Sequence, residues 1–387
     1  MRSRITLFFL VSLLCSSLSA ANLTEAQKQQ LKALLPGVTL NDSTLEQLED
    51  VFYTREMPVR SRLKAISQMV GLDQMPAGST LKRTICIWDI GGRNGPVFHA
   101  AMEQRALAVE YGINLDMVPY TNETVMVEEF KAGRCDAALM SGLRARQFNL
   151  YSGSVDAIGA VPDDKHMHTL LQVLAHPKQA GHMVQGDYVV MGIYPAGAAH
   201  IFVNDREISS LAKAAGRRVA VLDYDQTQAE MVAAIGATPV STDIVTAPNK
   251  FNNNQIDILP APLVAYEILE LYKGMTPDGG IVDYPLTQLS MQLIGRLDKF
   301  PNEVAQLIRE ASFEAYPQVM KRIEQETKRV PERWMIEIPE KDKQDYEIMM
   351  QDARNALRER GYYNGDMLTL QRKIRCKFNP ARSECSQ

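Results

Sequence analysis

Residues 84–95 read Thr84-Ile-Cys-Ile-Trp-Asp-Ile-Gly-Gly-Arg-Asn-Gly95. An apolar run of this length that stops at a glycine-rich turn reads as a buried strand followed by a sharp change of direction. A helical pattern follows, carried by Phe98, Ala101, Met102, Ala106, Ala108 and Val109. Ile113-Asn-Leu-Asp-Met-Val118 then reads as a second strand, 124–130 as a second helix, and Asp136-Ala-Ala-Leu-Met140 as a third strand ending at Ser141-Gly142. Strand, helix, strand, helix, strand implies right-handed crossovers and a parallel sheet. Ligands of such sheets bind beyond the carboxyl ends of the strands, which nominates 89–94, 120–122 and 141–146.

A second α/β set begins near Tyr188. Residues 188–194 and 200–203 read as two strands, and Arg217-Arg-Val-Ala-Val-Leu222 as another, closed by the loop Asp223-Tyr-Asp225. A helix over 226–235 leads into Gly236-Ala-Thr-Pro-Val240, which turns into a further strand. The run 256–259 is one more, with Pro260 and Pro262 behind it. Two such halves predict two lobes with a cleft between them. In front, 22–80 reads as a helical extension: Thr24-x-x-Gln27 and Ser43-x-x-Glu46 have the form of capping boxes, and Gly71 is placed to end a third helix. Behind, Val304, Leu307, Ile308, Ala311 and Ala315 share a helical face that Pro317 should kink or end. Tyr346, Met349, Met350, Ala353 and Leu357 mark a last helix, stopped at Gly361.

Composition is that of an ordinary globular chain: 387 residues, 45% hydrophobic, 23% charged, with 23 Gly and 19 Pro. It excludes collagenous, coiled-coil and largely disordered classes. A net charge of −4 offers no general attraction to phosphate backbones, so no nucleic-acid partner is expected. Residues 1–21 combine Arg2 and Arg4, an apolar run from Ile5 to Leu14 and small residues up to Ala21. That pattern is a secretory signal peptide, cleaved near Ala20 or Ala21, and its apolar run is too short for a membrane span. An exported chain can oxidise its cysteines, and Cys86, Cys135, Cys376 and Cys385 remain after cleavage. Proximity favours Cys376 with Cys385, while Cys86 and Cys135 sit at probable strands that can bring them together.

Several chemistries find no support. Gly91-Gly-Arg-Asn-Gly95 lacks both the phosphate-loop ending and dinucleotide spacing. His166, His168, His176 and His182 lie beside Asp163 and Asp164, yet their spacing matches no metal motif, so this stretch reads as a polar linker. No nucleophile elbow is present, and neither an enzymatic activity nor a cofactor is expected.

The segment Glu207-Ile-Ser-Ser-Leu-Ala-Lys-Ala-Ala-Gly-Arg-Arg-Val-Ala-Val221, with Gly236-Ala-Thr-Pro-Val240 and Asn254-Gln-Ile-Asp257, resembles the DctP-like solute-binding subunits of TRAP transporters. Phe130-Lys-Ala-Gly-Arg-Cys-Asp136 and Phe300-Pro-Asn-Glu-Val-Ala-Gln306 are similar to further elements of that family, in the same order. The stretch 82–96 also resembles an AdeT-like subgroup of solute-binding proteins. The resemblance implies a two-lobed, type II-like α/β periplasmic binding protein that captures a small molecule and delivers it to inner-membrane transporter subunits. The subgroup's label supplies an alternative, an accessory role in an RND-type efflux or envelope complex. The expected division is 81–197 with 286–325 for lobe I, 198–285 with 326–375 for lobe II, and 376–387 as a basic, disulfide-closed tail.

One departure bears on the ligand. The family sets a carboxylate-clamping arginine four residues after the motif glycine; here Gly216 plus four is Ala220. With Asp223 and Asp225 close by, the expectation moves from a carboxylate to a neutral or cationic ligand. Expected ligand contacts are Asp89, Arg93, Asn94, Tyr120, Asn122, Ser141 and Arg144 from the first lobe, and Asp223, Tyr224, Asp225 and Asn253 from the second. A capping role competes at Asp225, because Asp is a favoured residue at a helix start.

Overall fold

A computed structural model describes residues 23–34, 40–54, 56–74 and 81–385; the expected signal segment lies outside them. Its strands are β1 Leu81–Trp88, β2 Ile113–Tyr120, β3 Ala137–Ser141, β4 Val184–Gln185, β5 Tyr188–Val203, β6 Arg218–Leu222, β7 Thr238–Thr242, β8 Ile258–Pro262, β9 Gly280–Arg296 and β10 Met335–Ile336. β1, β2 and β3 are parallel, as the alternating pattern requires, and β6, β7 and β8 form a second parallel group. The two groups belong to one hydrogen-bonded sheet, in the order β2-β1-β3-β9-β5-β8-β6-β7.

Continuity comes from β5 and β9, which run antiparallel to each other through both halves. The sequence suggested two short strands in place of β5, and it gave no sign of β9. Pro195 and Gly197 caused the first misreading, since both normally break strands. They lie at a register shift of the β5–β9 ladder, where Gly197 takes a φ of 90° open to glycine at little cost. Pro119 is tolerated for a different reason: β2 is an edge strand.

Around the β1–β3 group stand α4 Pro96–Glu110, α5 Glu123–Lys131 and the single turn α6 Gly142–Ala145. Cys86 of β1 and Cys135, just before β3, are joined by a disulfide with a Cα–Cα distance of 5.8 Å; Cys376 and Cys385 form a second at 5.6 Å. The histidine-rich stretch is not a linker. Residues Asp164–Leu174 form a helix that buries Met167, Leu170, Leu171 and Leu174, with Asp163 capping its start.

Pro317 ends the helix Asn302–Glu314 and opens the next, Tyr316–Thr327. The long helix Glu340–Glu359 is followed by one that the sequence reading did not foresee, Gly365–Phe378. Leu357, Tyr363, Met367, Leu368 and Ile374 share a buried cluster with Met126, Phe130 and Met140. Residues 357–374 thus pack on the first half, while Trp334 and Ile336 pack on the second, to which the sequence reading assigned all of 326–375; an amphipathic pattern says that a face is buried, not against what.

At the N-terminus, α1 Glu25–Leu34, α2 Asp42–Tyr53 and α3 Val59–Met69 form the expected helical extension. The Thr24–Gln27 box closes as predicted, with backbone N–H groups bonded to side chains in both directions at 2.7 and 3.3 Å. α2 differs. Its cap is Asn41, whose side chain accepts from the Thr44 N–H, so Ser43 already lies inside the helix.

Candidate functional site

Register places the carboxyl ends of both strand groups at the same girdle. Ser141, which ends β3, pairs with Met291 of β9, and Met291 pairs with Tyr194 of β5. Pro262, which ends β8, pairs with Ala199 of β5. The two sets of strand ends therefore approach one another across residues 194–199 of β5, the location a parallel sheet reserves for a ligand.

Arg144 and Tyr224 meet there, the Arg144 guanidinium carbon lying 3.3 Å from the centroid of the Tyr224 ring. Such a stacked cation is favourable, the more so when water is excluded. Arg144 follows β3 and Tyr224 follows β6, so this contact joins the two halves. Arg146 makes a second bridge: it stacks on Tyr362 at 4.1 Å and lies 3.9 Å from Asp225 Oδ2, which also accepts from the Tyr362 hydroxyl.

Not every expected contact lies at this junction. The carboxylate of Asp89 accepts from the N–H groups of Gly91, Val97 and Phe98 at 2.8, 2.7 and 2.9 Å, so it shapes the turn and caps α4. Gly95 is required beside it, because a Cβ there would come 1.8 Å from Asp89 Oδ1. Arg93 and Asn94 are exposed on that turn, and Asp223 is exposed at the end of β6. Tyr120 is half-buried, packed against the first-half core. Asn122 is an exposed cap of α5, accepting from the Val125 N–H at 3.0 Å. Ser141 is buried and accepts from the Arg144 N–H at 3.3 Å. Asp225 both caps its helix, through the Gln228 N–H at 3.1 Å, and serves the bridge. Asn253 lies before β8, at the opposite end from the cleft, where its side chain bonds to Asn249.

Sequence reasoning missed the group that binds this junction together. Glu123 opens α5 at 5% exposure, and its Oε1 accepts the Ser141 N–H at 2.6 Å. Burial pushes its carboxyl up to about 7, against the opposing pull of Ser141 and Arg144. Arg144 also donates to the Thr124 hydroxyl. Behind it, Asp156 accepts from the Ser290 N–H at 3.0 Å and its hydroxyl at 2.5 Å, and burial raises its carboxyl to about 7 as well. Gly142 allows this approach, since a Cβ would sit 2.5 Å from Asp156 Oδ2. The tyrosine hydroxyl of Tyr224 is pushed up by burial first, and Glu123, Arg144, Asp225 and Arg146 all act on it electrostatically.

Unfinished hydrogen bonding is concentrated at the junction. Glu123 Oε2, Arg144 Nε, Arg146 Nη2 and the Tyr224 hydroxyl are all buried without a hydrogen-bond partner. Each such group costs about 1–3 kcal/mol, and native interiors hold few of them. Three of these atoms, on Glu123, Arg144 and Arg146, accompany the Tyr224 hydroxyl and offer both donor and acceptor groups at one junction. No cluster of three or more metal-ligating side chains occurs among the described residues.

A family model described as solute-binding protein AdeT 1/2 matches residues 68–387. The chain is 39% identical to the probable solute-binding protein AdeT1 of Acinetobacter baumannii over 300 residues, 78% of this chain and 99% of that relative. It is 30% identical to the probable solute-binding protein AdeT2 of the same organism over 233 residues, 60% of this chain and 98% of that one. Among solved structures, a TRAP periplasmic solute-binding protein from Desulfovibrio salexigens with bound orotic acid superposes with a TM-score of 0.64 at 16% identity, covering 76% of this chain and 99% of that one. One from Shewanella oneidensis with bound succinate gives 0.62 at 12% identity, covering 76% and 98%. The fold is that of the TRAP solute-binding proteins. None of these descriptions refers to efflux.

Proposed function

The chain belongs to the AdeT 1/2 family of solute-binding proteins, and from that membership we propose that it captures a small polar molecule between its two strand-end sets and hands it to a membrane transporter of TRAP type. The observation that carries this reading is the group of unpartnered buried polar atoms on Glu123, Arg144, Arg146 and Tyr224. Residues 81–197 with 286–325 supply one wall and 198–285 the other. Arg144, Arg146, Glu123 and Ser141 act from the first wall, Tyr224 and Asp225 from the second. The paired strands β5 and β9 are the hinge, because among the described strands they alone run through both halves of the sheet. Lobe opening would part Tyr224 from Arg144, and closure over the solute would report occupancy to the partner.

The work takes place in the periplasm, after removal of the signal peptide at residues 1–21. No helix among the described residues is long and apolar enough to cross a membrane, in keeping with a receptor that needs a separate membrane subunit. The test is a thermal-shift screen of the mature chain against a library of small metabolites. Ligand bound at a hundred times its Kd adds about 2.7 kcal/mol to stability and raises Tm. A hit whose effect disappears in Arg144→Ala supports the reading. A library without hits, or hits indifferent to Arg144, would remove the cleft from the function.

A further inference from the structure

We propose that the solute is a zwitterion: a small molecule whose ammonium group is accepted by Glu123 and whose acid group is received by Arg144 and Arg146. The inference rests on the solute-capture reading and adds the ligand's chemistry to it.

The unfinished hydrogen bonds at the junction are of two kinds. Glu123 Oε2 is an acceptor on a carboxylate whose other oxygen already holds the Ser141 N–H. Arg144 Nε and Arg146 Nη2 are donors on guanidiniums that are each anchored by another group, Arg144 Nη2 on Thr124 and Arg146 Nε on the carbonyl of Gly153. The other acids nearby are occupied: Asp225 takes the Gln228 N–H and the Tyr362 hydroxyl, and Asp156 takes both donors of Ser290. Glu123 is thus the carboxylate that still seeks a donor.

Magnitudes separate the ligand classes. A simple organic acid satisfies the guanidiniums but leaves Glu123 Oε2 bare beside a second negative charge. A simple amine does the reverse and leaves the arginine donors bare. Each buried group left without a partner costs about 1–3 kcal/mol, more when it is charged. A polyol reaches both kinds of group, but hydrogen bonds between opposite charges are roughly twice as strong as neutral ones. A molecule with separated positive and negative ends answers both sets at once.

The experiment is calorimetry on the mature chain at about pH 8, where Glu123 is ionised, with matched probes: α-amino acids, the 2-hydroxy acids and primary amines that share their side chains, and hexoses. Hits from the metabolite screen are sorted by the same criterion. The expected result is that a zwitterion binds about thirty-fold more tightly than its hydroxy-acid or amine counterpart, equivalent to about 2 kcal/mol. Glu123→Gln keeps the side chain's shape without its charge, and should bring the amino acid and hydroxy acid within about threefold of each other, again from the loss of one charge-assisted bond. The comparison of probes on the unaltered protein stands even if that variant does not fold. A hydroxy acid, amine or hexose bound as tightly as the best zwitterion overturns the inference and leaves solute capture intact, as does undiminished discrimination in Glu123→Gln. If no probe and no library member binds, both readings fall together.

Discussion

Two seams in this molecule join segments far apart in sequence, and they are built from opposite chemistry. Under the N-terminal helices, α1, α2 and α3 close against Leu81, Ile113, Val304 and Leu307. The space left there, about 80 Å³, is lined by residues such as Leu31, Leu48, Phe52 and Val70. Arg62, buried in that seam, is paired with Glu310 and with the carbonyl of Phe52 at 3.1 Å. The cleft seam is charged, and four of its buried polar atoms have no partner. The first seam is mainly apolar, with Arg62 Nε and Glu303 Oε2 left unbonded at its edge; the second gathers four unbonded polar atoms at one junction. Apolar burial stabilises a fold without specifying a ligand. Orphaned polar groups do the reverse, lowering stability until a complementary molecule arrives.

The sharpest way to break this comparison is at Phe52, which is 3% exposed. Phe52→Ala should cost about 3–5 kcal/mol of stability in denaturant unfolding, since the existing void leaves little room for further collapse. Solute affinity should not change. A loss below about 1 kcal/mol would make the helical extension an appendage with its own weak stability instead of a part of the core.

The disulfides extend the contrast to the scaffold below the cleft. Cys86 and Cys135 are 49 residues apart and tie β1 to the start of β3, whereas Cys376 and Cys385 are separated by 9. Loop-closure entropy predicts a loss of about 4 kcal/mol for the double serine variant at 86 and 135, and about 2.5 kcal/mol for that at 376 and 385. Equal losses in chemical unfolding would mean that native packing, not loop length, governs the effect.

Glu123 should make the cleft seam sensitive to pH. Its folded carboxyl titrates at about 7, above its ordinary value near 4.5, so the folded state holds a proton that the unfolded chain releases. Stability must therefore fall as pH rises from about 4.5 to about 7, by about 3 kcal/mol for this group, and level off above. Asp156 acts in the same direction and the same range. Asp257 works elsewhere: its bonds to Arg218 hold its carboxyl at about 2, and its contribution is lost only as pH falls below about 4. Unfolding curves measured at several pH values should flatten in Glu123→Gln across the 4.5–7 window. An unchanged slope would locate the proton on another group.

The sequence made some of this legible and concealed the rest for identifiable reasons. The first three strands, the loop at 223–225 and both disulfide partners follow from local patterns, because strand period and turn residues are local properties. Arg144 and Tyr224, which meet at the junction, were nominated by the rule that ligands sit at strand ends. Glu123 was not, because a glutamate in the first turn of a helix is ordinarily a solvated partner of the helix dipole. Its burial arises from β3 ending directly beneath it. Tyr362 was hidden for a similar reason, since the tail's helical face carries no record of the surface it covers. Asp89 was a false lead: its three backbone bonds are a turn's needs met locally, and a strand-end aspartate looks the same in sequence whether it serves a turn or a ligand.

The smallest expected effect tests the cleft most directly. Tyr224→Phe removes a buried hydroxyl that has no hydrogen-bond partner and keeps the ring that stacks on Arg144. In the empty protein the change should be neutral or raise stability by up to about 1 kcal/mol, since an unsatisfied polar group is removed without leaving a void of any size. Bound solute should respond in the opposite sense, with affinity falling about five- to tenfold, the worth of one hydrogen bond of about 1 kcal/mol. An ordinary buried tyrosine with a satisfied hydroxyl would lose stability and leave affinity untouched. Opposite signs in unfolding and in titration calorimetry therefore belong to a hydroxyl that waits for a ligand, and equal signs would return Tyr224 to the packing of the junction.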